Sequence, residues 1–216
     1  MHKRRKIRAT ASGSLETELS RILMKTGATK FGLFKLSSGK LSPYYIDLRM
    51  IPGDPKGLEK VIEIYERMVR SKVGITSFDR IAGVPTAGVP YASILAYRLS
   101  KPFLYVRSEA KRHGAERRVE GQLLPGERVV LVDDLITTGK NTLQAAESIR
   151  AEGGQVEHVI VLIDRQEGGA AALAQAQLKL CSFMTVTRIA RRLHESGVID
   201  DDQYKAILAQ IGPVHP

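Results

Sequence analysis

Val129-Val130-Leu131-Val132 is an unbroken aliphatic run that ends on two adjacent carboxylates, Asp133 and Asp134. A strand whose successive side chains are all apolar has no face to give to water and must be covered on both sides. The middle of a parallel sheet, with helices above and below, meets that condition. Thr137-Thr138-Gly139 follows as a small-residue turn, and a helical pattern then runs from about Lys140 to Ala151. Strand, polar turn and helix in that order bring main-chain N–H groups to the carboxyl edge of a sheet. A phosphate can be held there, while the aspartates take sugar hydroxyls or a hydrated cation.

The same alternation recurs along the chain. Strands are expected over Arg80 to Val84, Phe103 to Val106, Val156 to Ile163 and Leu178 to Val186. Helical spacing marks Leu15 to Met24, Leu58 to Val69, Val89 to Leu99, Ala170 to Ala176, Val186 to Glu195 and Asp202 to Ile211. Phe31 to Arg49 is mixed, with a turn at Ser37-Ser38-Gly39-Lys40 and a strand at Tyr44 to Leu48. The expected architecture is α/β, a mostly parallel central sheet with helices on both faces and a small N-terminal hood. Four segments are expected: a basic flexible tail over 1–12, a helix and hood over 13–54, the core over 55–186, and C-terminal helices over 187–216 completing the same domain. Within the core, residues 107–121 form a polar, glycine-bounded loop of the kind that moves.

Other classes fit less well. The formal charge is +10, carried partly by Lys3, Arg4, Arg5, Lys6 and Arg8 and partly by Arg107, Lys111, Arg112, Arg117 and Arg118. No helix-turn-helix, zinc-finger or aromatic RNA-binding pattern accompanies it, so a small polyanionic substrate explains the central cluster better than nucleic acid. Gly139-Lys140 is followed by Asn141, and Asp134 stands five residues before Gly139, so a P-loop fails twice. A dinucleotide fingerprint lacks its other glycines. One cysteine, Cys181, excludes an internal disulfide and reads as a small buried hydrophobe. With no signal-type segment and no membrane-length apolar run, a cytoplasmic protein is expected. His158 lies in an apolar strand pattern and reads as structural.

The segment Val129 to Thr142 resembles the phosphoribosyl pyrophosphate (PRPP) signature of type I phosphoribosyltransferases. Three further segments are similar to the orotate phosphoribosyltransferases of that family, in the family's order. They are Leu36 to Tyr45 with its Ser42-Pro43-Tyr44 strand, Arg107 to Gly114, and Asp164-Arg165-Gln166-Glu167-Gly168-Gly169. The turn Gly83-Val84-Pro85-Thr86-Ala87-Gly88 resembles the family's diphosphate-binding turn. Ser37, Ala87 and Ser108 stand where lysines are frequent, so the chain departs from the pattern in its cationic contacts.

The resemblance implies the type I phosphoribosyltransferase fold and transfer of phosphoribose to orotate, giving orotidine 5′-phosphate and diphosphate on the route to UMP. It implies that Asp133 and Asp134 bracket the ribose hydroxyls, and that Leu135, Ile136, Thr137, Thr138, Gly139, Lys140, Asn141 and Thr142 complete the PRPP loop. Arg107, Lys111 and His113 are expected on the diphosphate as catalytic loop residues; Tyr45, Ile46, Thr137 and Arg165 are expected on orotate. No protein metal cage is expected; Mg²⁺ is held mainly through PRPP oxygens and water. The implied assembly is a homodimer with shared active sites, and no membrane or nucleic acid partner is expected. The alternative for Arg165 is a surface ion pair with Glu167. Two alternatives stay open: transfer to a purine or other base, and a non-catalytic regulator of the same fold that senses PRPP or binds RNA.

Overall fold

The computed structural model describes residues 15–35, 39, 41–107 and 118–211. Contacts divide the chain into two compact units, one comprising the N-terminal part to Val61 together with Met184 onward, the other running from Ile62 to Phe183.

The larger unit is built on a six-stranded sheet of order β5-β4-β3-β6-β7-β8. Its strands are β3 (Arg80–Gly83), β4 (Phe103–Val106), β5 (Val119–Glu120), β6 (Arg128–Ile136), β7 (Gln155–Asp164) and β8 (Lys179–Thr185), the last running into the other unit. β3 pairs in parallel with both β4 and β6, and β6 in parallel with β7, whereas β4 and β5 are antiparallel. The sheet is therefore mixed at one edge. Every residue from Val129 to Asp134 is buried, as an apolar central strand requires.

Side-chain alternation along the strands separates two faces. On one, Ala82, Leu104, Val129, Leu131, Val159 and Val161 form a core with Ala145, Ala146 and Ile149 of α4 (Lys140–Ala151) and Leu173 of α5 (Gly169–Gln175). The other faces α3 (Gly88–Arg98), which packs on β3 and β6. Tyr65, near the end of α2 (Pro55–Met68), stacks at a tilt on Tyr91 of α3, with ring centroids 5.8 Å apart. Fully burying an aliphatic side chain of this kind contributes about 1.5–3 kcal/mol, which is why the strand order follows the apolar runs.

At the amino ends of β3 and β6, charge fixes the alignment. Arg128 pairs with Asp79 at 2.9 Å, and their backbones also join, Asp79 N–H donating to the Arg128 carbonyl at 2.8 Å. Arg80 donates through two guanidinium nitrogens to Glu127. Arg128 holds the Asp79 carboxyl far below the usual carboxylate range.

The smaller unit holds helix α1 (residues 15–25), the antiparallel hairpin β1 (Thr29–Lys35) and β2 (Leu41–Ile46), a 3-10 turn at Leu48–Gly53, α6 (Val186–Glu195) and α7 (Asp201–Ile211). By contacts, α6 and α7 group with the N-terminal segment. Buried Glu16 on α1 draws Arg188 and Arg192 of α6 onto it, and α7 packs on β2. Removing one partner of a buried ion pair is costly, so this cluster ties the two ends of the chain together.

Two differences from expectation have local causes. β1 was not legible because its register shifts between Phe31 and Phe34, breaking the two-residue alternation and leaving Leu33 exposed. The loop expected over 107–121 is shorter at its far end, because Val119–Glu120 pairs with β4. No helix among the described residues is long and apolar enough to cross a membrane. Cys181 is half-buried rather than buried, and desolvation pushes its thiol up.

Candidate active site

The parallel strands β3, β6 and β7 end side by side, and their carboxyl ends carry the turns after Gly83, Ile136 and Asp164. In an open α/β sheet this edge is where a ligand finds exposed main-chain groups. The acidic pair was expected just beyond the strand; hydrogen bonding to β7 instead continues through Ile136, so Asp133 and Asp134 sit within β6. Ladder pairing, and not side-chain polarity, decides where the strand stops.

Both carboxylates are buried. Asp133 Oδ1 accepts from the Asp134 backbone N–H at 2.9 Å, and Asp134 Oδ1 accepts from the Leu135 N–H at 2.7 Å. Burial, reinforced by the neighbouring Asp134 charge, raises the Asp133 carboxyl well above its ordinary range. The Tyr65 hydroxyl, from the end of α2, donates to the Asp133 carbonyl at 2.7 Å. Burial, with Asp134 close by, also keeps the Tyr65 phenol protonated far past its usual pKa, so it stays a donor.

Gly88 opens α3 directly against this strand end. A Cβ there would lie 2.5 Å from the Val132 carbonyl oxygen and 2.8 Å from Asp133 Cα, so only glycine permits the approach. The Pro85–Thr86 peptide before it is cis. Neither Tyr65 nor Gly88 was singled out as supporting the acidic pair. A tyrosine on the apolar face of a helix was the available signal, since a buried hydroxyl needs an acceptor.

Downstream, Gly139 has φ +81° and opens α4 with no side-chain cap. The first turn of an α-helix presents N–H groups that the helix itself does not use, and the macrodipole adds favourable potential for an anion. Thr137 is half-buried, Thr138, Lys140 and Asn141 are exposed, and Thr142 is buried. Leu135 is half-buried and Ile136 buried, so these two shape the turn through their backbone.

Arg165 follows β7 on the adjacent strand. Its N–H donates to the Ile136 carbonyl at 2.9 Å, fixing the arginine turn beside the phosphate turn. The guanidinium is buried and 2.8 Å from Glu167. The ion pair with Glu167 is thus present, not at the surface but in a buried setting, where a fixed planar guanidinium is suited to a carboxylate. Asp164 stabilises the turn by accepting from Gln166 N–H at 2.7 Å, while burial pushes its carboxyl upward.

The other expected residues divide as follows. Arg107, at the end of β4, is half-buried and 3.3 Å from Glu120. Lys111, His113, Ser37 and Ser108 lie outside the described residues. Tyr45 and Ile46 belong to the smaller unit. There Tyr44 is the buried member of the tyrosine pair and Tyr45, half-buried, packs on Phe34 with centroids 5.8 Å apart. Ile46 is buried. His158, half-buried on β7, has Glu157 as its neighbour at 3.9 Å. Among the described residues, no group of three metal-ligating side chains gathers.

The family model for the phosphoribosyl transferase domain matches residues 51–177. Orotate phosphoribosyltransferase from Pyrobaculum aerophilum is 43% identical over 187 residues, covering 86% of this chain and 94% of its own. The solved orotate phosphoribosyltransferase from Aeropyrum pernix is similar with a TM-score of 0.71 at 37% identity, over 81% of this chain and 98% of that one. UMP synthase from Leishmania donovani matches with a TM-score of 0.80 at 33% identity, over 90% of this chain and 42% of its own. Because the likeness runs through the diphosphate turn, the acidic strand end and the Arg165 turn alike, the chain belongs to the type I phosphoribosyltransferase family, among its orotate phosphoribosyltransferases.

Proposed function

We propose that this chain joins orotate to PRPP, forming orotidine 5′-phosphate and diphosphate in UMP synthesis. The observation that carries the reading is the hydrogen bond from Arg165 N–H to the Ile136 carbonyl, which fixes the turn bearing a buried arginine beside the turn that follows the acidic strand end. A sugar phosphate and an organic carboxylate are the ligand chemistries those two turns suit. The names of the relatives supply the same substrate.

In the proposed reaction the bond between the ribose anomeric carbon and the diphosphate oxygen breaks, and a bond from that carbon to the orotate ring nitrogen forms. The N–H groups opening α4, with Thr137, Thr138 and Thr142, hold the 5′-phosphate. Asp133 and Asp134 accept from the ribose hydroxyls and favour the positive charge that develops on the ring. Arg107, Lys111 and His113 meet the negative charge growing on diphosphate. Arg165 orients orotate through its carboxylate; Tyr45 and Ile46 are carried as further orotate contacts by the resemblance alone. Catalysis then rests on orientation and preorganised charge, with no covalent intermediate on the protein.

Mg²⁺ fits this site as an ion that arrives with its ligand. Two adjacent carboxylates near a phosphate turn are hard oxygen donors of the number Mg²⁺ uses beside substrate oxygens and water. Bound there, it would neutralise diphosphate charge. We further propose a cytoplasmic homodimer in which the part of the loop bearing Lys111 and His113 serves the neighbouring site.

Purified protein given PRPP, Mg²⁺ and, separately, orotate, uracil, adenine or hypoxanthine should consume PRPP only with orotate and yield orotidine 5′-phosphate. Folded protein that turns over none of them sinks the reading, and preference for a purine replaces it. Mixing Lys111→Ala and Asp133→Asn protomers tests site sharing, which predicts that activity reappears on subunit exchange.

A further inference from the structure

β4 and β5 bring two arginines face to face. Their pairing, Tyr105 with Glu120 and Val106 with Val119, continues through a backbone bond from Arg107 N–H to the Arg118 carbonyl at 2.8 Å. Residues directly opposite on an antiparallel pair project to the same side, and like charges in that position repel. Arg107 has Glu120 at 3.3 Å. No carboxylate among the described residues pairs with Arg118.

Both arginines line a cavity of about 70 Å³ together with Pro85, Asn141, Gln144 and Ser148. Asn141, Gln144 and Ser148 share one face of α4, three and four residues apart. Among the described residues, no carboxylate contributes to the lining. Two guanidinium groups, two amides and a hydroxyl are anion-binding chemistry. The place is informative too. Pro85 belongs to the turn after β3 and Asn141 to the first turn of α4, so the cavity joins the two segments assigned to diphosphate and 5′-phosphate. The turn itself, Val84-Pro85-Thr86-Ala87-Gly88, carries no cationic side chain. Diphosphate charge has to be met from elsewhere, and the β4–β5 ribbon supplies it.

We propose that Arg118 is a second diphosphate-binding residue, acting with Arg107 across the ribbon to hold the diphosphate of PRPP and of the product. The idea rests on the transfer reaction proposed above. It explains why a like-charged pair is kept where it costs stability: the anion placed between the two arginines relieves their repulsion. Arg118 thereby compensates for the cation-poor turn.

The test is calorimetric titration of wild type, Arg118→Leu and Arg118→Lys with magnesium diphosphate and, separately, ribose 5-phosphate. Loss of a charge-assisted hydrogen bond predicts about tenfold or more weaker diphosphate binding by R118L. Ribose 5-phosphate affinity should stay within about twofold, and R118K should fall between. In steady-state assays the KM for PRPP should rise about tenfold while that for orotate holds. A melting series adds a readout that a purely structural arginine would not give. Ligand-free R118L should melt no lower than wild type, yet gain less from diphosphate. Wild-type diphosphate affinity in R118L, or equal loss of both ligands, overturns the role of Arg118. If R118L does not fold, R118K decides: unchanged diphosphate affinity and unchanged KM for PRPP overturn the role. Wild type that binds neither ligand overturns the reaction itself.

Discussion

Replacing Gly88 with alanine sets two effects of opposite sign against each other. Gly88 opens α3, and alanine there removes freedom from the unfolded chain worth about 0.4–1 kcal/mol. On those grounds Gly88→Ala would stabilise. Against them, the new Cβ would lie 2.5 Å from the Val132 carbonyl oxygen, well inside the 3.4 Å at which ordinary contact begins, and 2.8 Å from Asp133 Cα. Both are backbone atoms of a central strand and cannot swing aside. Overpacking of this sort costs typically 1–3 kcal/mol, and the upper part of that range applies where nothing nearby yields. The expected net effect is a loss of about 2 kcal/mol, read by urea denaturation. Activity should suffer more, because β6 or α3 must move by several tenths of an ångström under the acidic pair. A displacement approaching 1 Å costs up to about 100-fold in rate, so kcat/KM should drop by one to two orders of magnitude. Gly139→Ala is the comparison: its Cβ would lie 2.7 Å from the tip of the Leu173 side chain, with the Gly169 backbone no nearer than 3.4 Å, so more of its cost comes from φ +81°. A G88A protein as stable and as active as wild type would refute the reasoning.

Asp133→Asn should stabilise the ligand-free protein near neutral pH while abolishing turnover. The folded carboxyl is raised above its unfolded value of about 3.9, so it costs nothing below that pH, and stability falls as pH rises through the window up to the folded pKa. Melting curves across pH 4 to 8 should show a steeper decline for wild type than for D133N; parallel lines would contradict the assignment. Tyr65→Phe leaves the Asp133 carbonyl short of a donor and should cost about 1–3 kcal/mol in denaturant unfolding, with KM for PRPP raised. Arg165→Lys keeps the charge but loses the planar fork. It should raise the KM for orotate about tenfold or more and leave that for PRPP nearly unchanged, and the reverse pattern would move Arg165 out of base recognition.

Much of the fold was legible because the determining signals are local. The aliphatic run at Val129 to Val132 announces a strand covered on both faces, and α4, α6 and β4 begin and end where their periodicity does. Signals that depend on distant partners were not legible. The polar end of β6 remains a strand only because β7 lies beside it, and Arg188 and Arg192 join α1 only because Glu16 is buried there. The site divides the same way. Acidic pair, phosphate turn and Arg165 can be read from residue order, but Tyr65 meets Asp133 from 68 positions away. Gly88 looks like any turn glycine until α3 is laid on the strand. Arg118 looks like one more charge in a basic stretch until β5 turns it toward Arg107.

The ion pairs at the amino ends of β3 and β6 have a consequence for how such a protein can change. Arg128 is separated from Ile136 by the length of β6, roughly 26 Å at about 3.3 Å per residue. Strand alignment is thus anchored at one end of the sheet and ligand chemistry is practised at the other. Turns at the carboxyl ends can exchange residues without loosening the register that aims them. Changes at Asp79, Arg80, Glu127 and Arg128 therefore act on strand alignment, and changes in the turn that bears Arg165 on the proposed base preference. The two properties are open to selection separately.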